Sequence, residues 1–359
     1  MTQLKRFQEA LAKSKFDAAL ISSSVNQRYL SDFSYSDGYI LVCPHSAWLL
    51  ADFRYIEAAR ERVNNDFEII MPTGRMSETL SELISQNGFV NIAIEETSVS
   101  CSTLAALTDA LPKECGLLHG ASKMLNEQRA IKLPYEIERM KKAQEITDSA
   151  FAHILSFISP EVTERELALE IEFFMRRNGA EAAAFNTIAV SGPASSLPHG
   201  VPSDVKLRQG LLTMDFGARY AGYCSDMTRT VVIGSIDSEM KKVYDTVLSA
   251  QEKALAGIHA GMLCRDADDL ARSVIRDAGY GEAFGHSLGH GVGMNVHENP
   301  SLSQRAPENS FLTAGNVVTV EPGIYLEGRF GCRIEDMIAI NEDGSIFNFT
   351  KSPKELIII

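Results

Sequence analysis

The hydrophobic pattern divides the chain into two parts of different character. In the first third, short apolar runs alternate with amphipathic stretches of helical period, and this alternation favours an α/β domain. The predicted strands are FDAALISS, YILVCP, AWLLADF, FEIIMP and NIAIEE. The predicted helices are YIEAARERV, SETLSELISQ and STLAALTDAL.

The remaining two thirds have a different order of elements. Four long helices are predicted there, at about 134–158, 163–178, 237–258 and 266–278. Strand-rich segments follow each pair of helices, so this part favours an α+β domain. The charged segment NEQRAIKLPYEIERM separates the two parts. We therefore place the boundary between 122 and 134 and divide the chain into domains 1–124 and 125–359.

Composition narrows the classes of function. The chain has 359 residues, enough for two domains, and a formal net charge of −13 without a basic cluster, which disfavours nucleic acid and anionic membranes as partners. Its six cysteines show no CxxC spacing, which argues against a disulfide framework and a thiolate metal site. The N-terminus lacks an apolar signal-peptide core and no run is long enough to span a membrane, so we expect a cytoplasmic protein.

Three of the eight histidines lie close together in the segment HSLGHGVGMNVHE, at positions 286, 290 and 297. The Gly-Val-Gly run at 291–293 disfavours a helix, so a loop or a strand is expected. A metal site, a proton relay, an oxyanion clamp and a merely polar loop would all fit this pattern.

Two acidic residues interrupt the apolar segment LLTMDFGARYAGYCSDMTRTVVIG, residues 211–234. The segment is predicted to form two strands with a turn near Tyr220 and Ala221. This fold places Asp215 opposite Asp226 on one face, with side chains about 5 Å apart. Like charges in that arrangement are destabilising, so a positive partner is expected between them.

A second hairpin is predicted in NVVTVEPGIYLEGRFGCRIEDMIAI, residues 316–340, with a turn near Gly328 that brings Glu321 toward Glu335. These positions could simply face water at a sheet edge. Two such pairs together, however, favour a site that carries four negative charges, which two divalent ions would balance. One imidazole would complete an oxygen-rich ligand set suited to Mn²⁺, Co²⁺ or Zn²⁺. Such a pair of ions activates a shared water, so hydrolysis is the expected reaction.

These segments resemble the pita-bread metallopeptidases, in the branch of aminopeptidase P and prolidase. The resemblance lies in TMDFGARYAGYCSDMTRT, FGHSLGHGVGMNVHENP, VVTVEPGIY and CRIEDMIAI, together with FNTIAVSGPASSLPHGVPSD upstream. The N-terminal half also resembles the smaller creatinase-like α/β domain of that family, through RYLSDFSYSDGYILV and LADFRYIEAA. The resemblance implies an N-terminal α/β domain followed by an α+β pita-bread catalytic domain.

The resemblance also implies the ligand set of a dinuclear centre, Asp215, Asp226, His290, Glu321 and Glu335. In the family pattern, Asp226 and Glu335 bridge the two metals and His290 binds one of them. Glu321 is a ligand that also takes the proton from the attacking water.

Further residues match family positions around the substrate. His297 resembles the histidine that holds the scissile carbonyl or the P1 group, and His199 the one that steadies the tetrahedral intermediate. His286 is expected to flank the substrate. Tyr325 and Arg333 match positions that line the proline pocket or support a bridging carboxylate, and the guanidinium could either stabilise a ligand or hold a substrate carboxylate.

The expected activity is hydrolysis of the Xaa-Pro bond at peptide N-termini, as in aminopeptidase P, with Xaa-Pro dipeptidase (prolidase) as the alternative. Ser301 stands where several dipeptide-cleaving prolidases have an arginine, which weakens the strict dipeptidase alternative. A creatinase-like hydrolase without metals and a binding protein on the same fold are weaker alternatives, because the ligand set is intact. The family implies proline-containing peptides as substrates and a homodimer.

Overall fold

A computed structural model describes residues 1–359 of the protein. The chain forms two compact units, Met1–Arg129 and Ala130–Ile359. The division expected after residue 124 lies inside the helix Ala121–Ala130. None of the helices is both long and apolar enough to cross a lipid bilayer.

In the first unit, helices and strands alternate as the hydrophobic pattern predicts. The helices α1 to α6 are Gln3–Ala12, Ser24–Ser31, Ile56–Arg62, Met76–Asn87, Cys101–Ala110 and Ala121–Ala130. The strands β1 to β6 are Ala18–Ile21, Tyr39–Val42, Ala47–Leu50, Glu68–Ile70, Asn91–Ile94 and Gly116–His119. All five predicted strands and all three predicted helices are present. The N-terminal segment MTQLKRFQEALAKSKF, whose pattern is typical of a surface helix, forms α1, whereas the pattern missed α2, β6 and α6.

The six strands form one mixed sheet in the order β4-β3-β2-β1-β5-β6. Strand β1 lies in its middle, antiparallel to β2 and parallel to β5. Its four residues, Ala18–Ile21, are all buried, as expected for a central strand covered on both faces. Together with the helices this sheet confirms the α/β class of the first unit.

The second unit begins with a pair of long helices and repeats that arrangement later in the chain. Its helices α7 to α10 are Pro134–Ile154, Glu164–Arg177, Ser238–Gly257 and Cys264–Asp277. Strands β7 to β12 are Ala182–Ala183, Ile188–Ser191, Gly210–Phe216, Ala218–Tyr220, Tyr223–Cys224 and Met227–Ile233. Strands β13 to β19 are Gly289–Gly291, Glu298–Leu302, Val317–Val320, Gly323–Leu326, Phe330–Arg333, Asp336–Ile340 and Ile346–Asn348.

Two hydrophobic cores hold this unit together. Helices α7 and α8 pack on the three-stranded sheet β12-β9-β8, through residues such as Phe151, Leu167 and Phe216. Helices α9 and α10 pack on the five-stranded sheet β14-β13-β15-β18-β19, through residues such as Tyr244, Ile275 and Val318. The four helices and the segregated antiparallel sheets confirm the α+β class.

Arg229 is the largest fully buried side chain of the protein and connects β12 to β18. Its Nη2 donates a hydrogen bond to Asp336 Oδ1 at 2.8 Å, and its Nη1 donates to the carbonyl oxygen of Glu335 at 2.6 Å. Burial raises the pKa of Asp336, but the charges of Arg229 and Lys354 outweigh that effect and hold the pKa below its usual value. Arg229 therefore holds both the Asp336 carboxylate and the backbone carbonyl of Glu335.

We expect Arg229→Met to lower the free energy of unfolding by about 3–5 kcal/mol, because it leaves Asp336 buried without its main counter-charge. Urea denaturation measures the loss. In the control variant Arg276→Met, where the arginine is 59 % exposed, the change should stay within about 0.5 kcal/mol. Equal losses in the two variants would contradict the importance of the buried pair.

Candidate metal centre

The first acidic pair lies on the hairpin formed by β9 and β12. The turn comprises Ala221 and Gly222, both with positive φ angles of 46° and 85°. Asp215 pairs with Thr228 across the ladder, and Asp226 lies just before the first residue of β12. The predicted direct pairing of Asp215 with Asp226 is therefore wrong. The turn is centred one residue later than expected, which shifts the pairing by two positions and leaves the two aspartates diagonal to each other.

The second acidic pair lies between two ladders that share one register. Gly323 pairs with Arg333 in the hairpin β16-β17, and Val320 pairs with Asp336 in β15-β18. Glu321 and Glu335 occupy matching positions in the gap between these pairs. Glu335 is 1 % exposed, and its Oε2 accepts a hydrogen bond from Thr228 at 2.7 Å, which joins the two hairpins.

The middle histidine of the cluster faces these carboxylates. His290 lies on β13, and its Nε2 is 3.6 Å from Asp226 Oδ2 and 3.3 Å from Glu321 Oε1. Its Nδ1 is 3.0 Å from the carbonyl oxygen of Gly291, which can only accept, so Nδ1 carries the proton. The neutral ring then directs the lone pair of Nε2 at the carboxylates, which is the tautomer of a metal ligand.

Arg333 is buried, and four protein groups accept hydrogen bonds from its guanidinium. Its Nη2 donates to Asp215 Oδ2 at 2.6 Å and its Nε to Thr228 Oγ1 at 2.9 Å. Its Nη1 donates to the hydroxyl of Tyr325 at 2.7 Å and to the carbonyl oxygen of Pro198 at 3.2 Å. Arg333 is 3 % exposed, so its guanidinium is held within the protein, where it orients Asp215.

His286 and Tyr325 lie behind this arginine. His286 Nδ1 is 2.8 Å from the carbonyl oxygen of Ser287 and therefore carries the proton, which leaves Nε2, 3.0 Å away, to accept from the Tyr325 hydroxyl. Burial lowers the pKa of His286 to about 4 and raises that of Tyr325 to about 12, so both are neutral. Since both ring nitrogens of His286 are engaged within the protein, the ring supports Tyr325 and has no free nitrogen for a substrate.

The two other histidines lie on the open side of the cluster. His297 is exposed, and the centroid of its ring is 4.2 Å from that of His290 at an interplanar angle of 60°. Burial lowers the pKa of His297, and the charges of His290 and His199 add to the effect. His199 is exposed. Both histidines are therefore accessible from solvent near the buried carboxylates.

The carboxyl groups of the cluster resist ionisation because they are buried and close to one another. Burial raises the pKa of Asp226 and of Glu335 well above the usual range, and the neighbouring carboxylates raise both further. Burial also raises the pKa of Glu321 to about 8, against the opposing effect of Arg333. Burial lowers the pKa of His290, which keeps its ring neutral. The four carboxylates and the single guanidinium sum to a formal charge of −3, which calls for added cations.

The donor set fits divalent metal ions. Ligand atoms of Asp226, His290 and Glu335 all lie within 4.8 Å of one another. The Oδ1 atom of Asp215 is buried and has no hydrogen-bond partner, as expected for an oxygen that a cation would satisfy. Oxygen ligands with one imidazole suit Mn²⁺, Co²⁺ or Zn²⁺.

Two residues of the site were missed in the sequence. Thr228 bridges Arg333 and Glu335 through its hydroxyl. Thr319 donates to Glu321 Oε1 at 3.2 Å and accepts from the backbone N–H of His290 at 3.1 Å. The available signal was spacing, because each threonine is two residues from an acidic member of the cluster and so shares its face of the strand.

Comparison with known proteins gives two family matches. The sequence model of metallopeptidase family M24 matches residues 138–342, which include all ten residues that the sequence analysis assigned to the site. The model of the creatinase/prolidase N-terminal domain matches residues 3–131.

Similar proteins extend over nearly the whole chain. An uncharacterized peptidase of Bacillus subtilis is 42 % identical over 99 % of this chain and 100 % of its own length, and a Xaa-Pro dipeptidase of Pyrococcus horikoshii is 38 % identical over 99 % and 98 %. Among solved structures, a Xaa-Pro dipeptidase from Bacillus anthracis has a TM-score of 0.95 at 39 % identity, covering 99 % of each chain. An X-Pro aminopeptidase from Thermotoga maritima has a TM-score of 0.91 at 38 % identity, covering 99 % of this chain and 100 % of its own.

We expect Mn²⁺ added to chelator-treated protein to raise the melting temperature by roughly 5–10 °C when the free ion is about a hundred times its Kd, because the ion binds only the folded carboxylate cluster. Differential scanning calorimetry measures the shift. Asp226→Asn should abolish most of it, whereas Asp245→Asn, at an aspartate 55 % exposed on α9, should keep it. A full shift in Asp226→Asn would contradict this metal site.

Proposed function

The chain belongs to metallopeptidase family M24, and on that premise we propose that it hydrolyses the Xaa-Pro bond of dipeptides with the help of two divalent metal ions. The observation that carries the proposal is the convergence of Asp215, Asp226, His290, Glu321 and Glu335 around one buried space. The family identity makes the protein a peptidase and implies divalent metals.

The proposed metal-holding residues are these same five. When bound, the ions supply Lewis acidity, which polarises a substrate carbonyl and makes water a nucleophile at neutral pH. The protein prepares the ligands in advance: Arg333 orients Asp215, and the Thr228 hydroxyl orients Glu335. Fixed ligands reduce the reorganisation that the reaction requires.

Glu321 is the proposed acceptor of the proton from the attacking water. Its Oε1 receives a hydrogen bond from Thr319, which leaves Oε2 as the oxygen that can take the proton. His297 and His199 are the proposed hydrogen-bond donors to the substrate. In this proposal His297, whose ring lies beside that of His290, donates to the scissile carbonyl, and the exposed His199 donates to the leaving imino nitrogen.

The preference for dipeptides is supported by the relatives of known activity, several of which are named Xaa-Pro dipeptidase or prolidase. The second candidate is an Xaa-Pro aminopeptidase that accepts longer peptides. Ser301 favours it, because this short, exposed side chain is paired with His290 across the strands β13 and β14, where a longer cation would reach a free carboxylate. The similar Thermotoga structure carries the aminopeptidase name.

Three finer points are proposed from the family resemblance and from the composition of the chain. We propose Mn²⁺ as the metal used in the cell, a homodimer as the assembly and the cytoplasm as the compartment.

We expect the Mn²⁺-loaded protein to cleave Ala-Pro with a kcat/KM at least about tenfold above that for Ala-Pro-Ala, and to leave Ala-Ala-Ala intact, because a recognised free carboxylate contributes about 1.5–3 kcal/mol. Release of alanine, followed by chromatography, measures all three. Glu321→Gln controls for contaminating peptidases and should lose about 10²–10⁴-fold. Preference for Ala-Pro-Ala would establish the aminopeptidase candidate, and no cleavage of either proline peptide would refute both.

We expect Ser301→Arg to increase the preference for Ala-Pro over Ala-Pro-Ala by about tenfold or more, because a guanidinium opposite His290 can pair with the free carboxylate of the dipeptide. The ratio of the two kcat/KM values measures this preference. Ser301→Gln is the matched control of similar length without charge and should change the ratio much less. The same ratio in both variants would show that position 301 does not face the end of the substrate.

A further inference from the structure

A buried lysine lies beside the loop that carries His297. Lys132 precedes α7, and its Nζ is 3.7 Å from Glu298 Oε2. The side chains of Lys132 and Glu298 are only 1 % and 7 % exposed. Removing an ammonium group from water this completely is costly unless an anion lies close to it, so the two charges depend on each other.

Glu298 organises the loop from within. Its Oε1 accepts a hydrogen bond from the backbone N–H of Asn295 at 2.9 Å. A Cβ atom at Gly293 would lie 2.4 Å from Glu298 Oε2, so a larger residue there would displace the carboxylate. Residues 293–298 therefore fold around the carboxylate, and His297 is the residue next to it in sequence.

Backbone hydrogen bonds fix both the loop and the segment that carries Lys132. The backbone N–H of Cys224, two residues before Asp226, donates to the carbonyl oxygen of Gly293 at 2.7 Å. At the other end of the ion pair, the backbone N–H of Lys132 donates to the carbonyl oxygen of Gly315 at 2.9 Å. The lysine thus presents its charge to the loop from a fixed segment of backbone.

We propose that Lys132 is a positioning residue for His297. By compensating the buried charge of Glu298, it holds residues 293–298 in the conformation that keeps the His297 ring beside His290 and facing the substrate. Lys132 does not touch the substrate itself. The inference rests on the proposed function, in which His297 donates a hydrogen bond to the reacting peptide.

The activity test is a double-mutant cycle between Lys132 and His297, with Ala-Pro as substrate and Mn²⁺ as the metal. We expect Lys132→Met to lower kcat by about 10- to 100-fold, as displacement of a catalytic group by about 1 Å does. In the His297→Ala background the same change should lower kcat by less than about twofold, because the group that it positions is gone. Equal losses in both backgrounds would overturn the proposal, since general destabilisation does not depend on His297.

The matched control is Lys142→Met, on the helix α7 that follows Lys132, at a lysine whose side chain is 52 % exposed. It should leave kcat and KM unchanged.

Neutral variants of the pair keep the test decisive where Lys132→Met fails to fold. Glu298→Gln retains an oxygen that can accept from Asn295 but removes the negative charge 3.7 Å from Lys132 Nζ, so kcat should fall. Combining Lys132→Met with Glu298→Gln removes both charges and should recover kcat to within about threefold of the parent protein, as coupled charges predict. A combined loss equal to the product of the two single losses would contradict the pairing.

Hydrogen exchange separates failure of this inference from failure of the proposed function, because it needs no substrate. In Lys132→Met and in Glu298→Gln, peptides that contain residues 293–298 should exchange faster than in the parent protein, through the N–H groups of Gly293 and Asn295. In Lys142→Met they should not. Unchanged exchange in both pair variants would overturn the role of Lys132 whatever the protein hydrolyses.

Discussion

The burial of four carboxylates around one neutral imidazole is the constraint on which the second unit depends. Charges of one sign in a largely buried cluster repel each other and lose most of their hydration, so opposing charge is needed. Arg333 supplies a single positive charge, and this charge pairs with Asp215. Metal ions must supply the remaining positive charge. This explains why the sequence tolerates acidic residues in the middle of otherwise apolar strands.

Strand register makes this crowding possible, and it is the part of the site that the sequence predicts best. Alternation along a strand and a turn at Gly328 suffice to bring Glu321 to Glu335, and the structure has that register. The same reasoning misplaced Asp215 against Asp226, because it centred the turn before Ala221. A glycine at the second turn position, Gly222, is the signal for the later centre, since that position takes a positive φ angle.

The roles of the three neighbouring histidines could not be separated by spacing. His286 and His290 each hydrogen-bond the carbonyl oxygen of the following residue through Nδ1, so in local terms they are alike. Their difference arises from what faces Nε2, the hydroxyl of Tyr325 in one case and carboxylates in the other. Those partners come from strands 30 or more residues away in sequence, and only the tertiary fold brings them there. The alternation of helices and strands is local information, so the class of each unit was predictable. The sequence indicated two possible roles for Arg333 and could not choose between them, because its partners are distant in sequence.

The metal-holding residues and the position proposed to select the peptide differ in how firmly the fold holds them. Carboxylates and their supporting groups lie on paired strands and are fixed by buried charges, including Arg229 with Asp336 behind Glu335. Ser301, the position proposed to distinguish a short from a long peptide, is exposed. A change at such a position alters which peptide end is recognised without disturbing the ligands. Proteins that carry dipeptidase and aminopeptidase names can therefore share this fold almost equally well, and overall similarity cannot choose between the two activities.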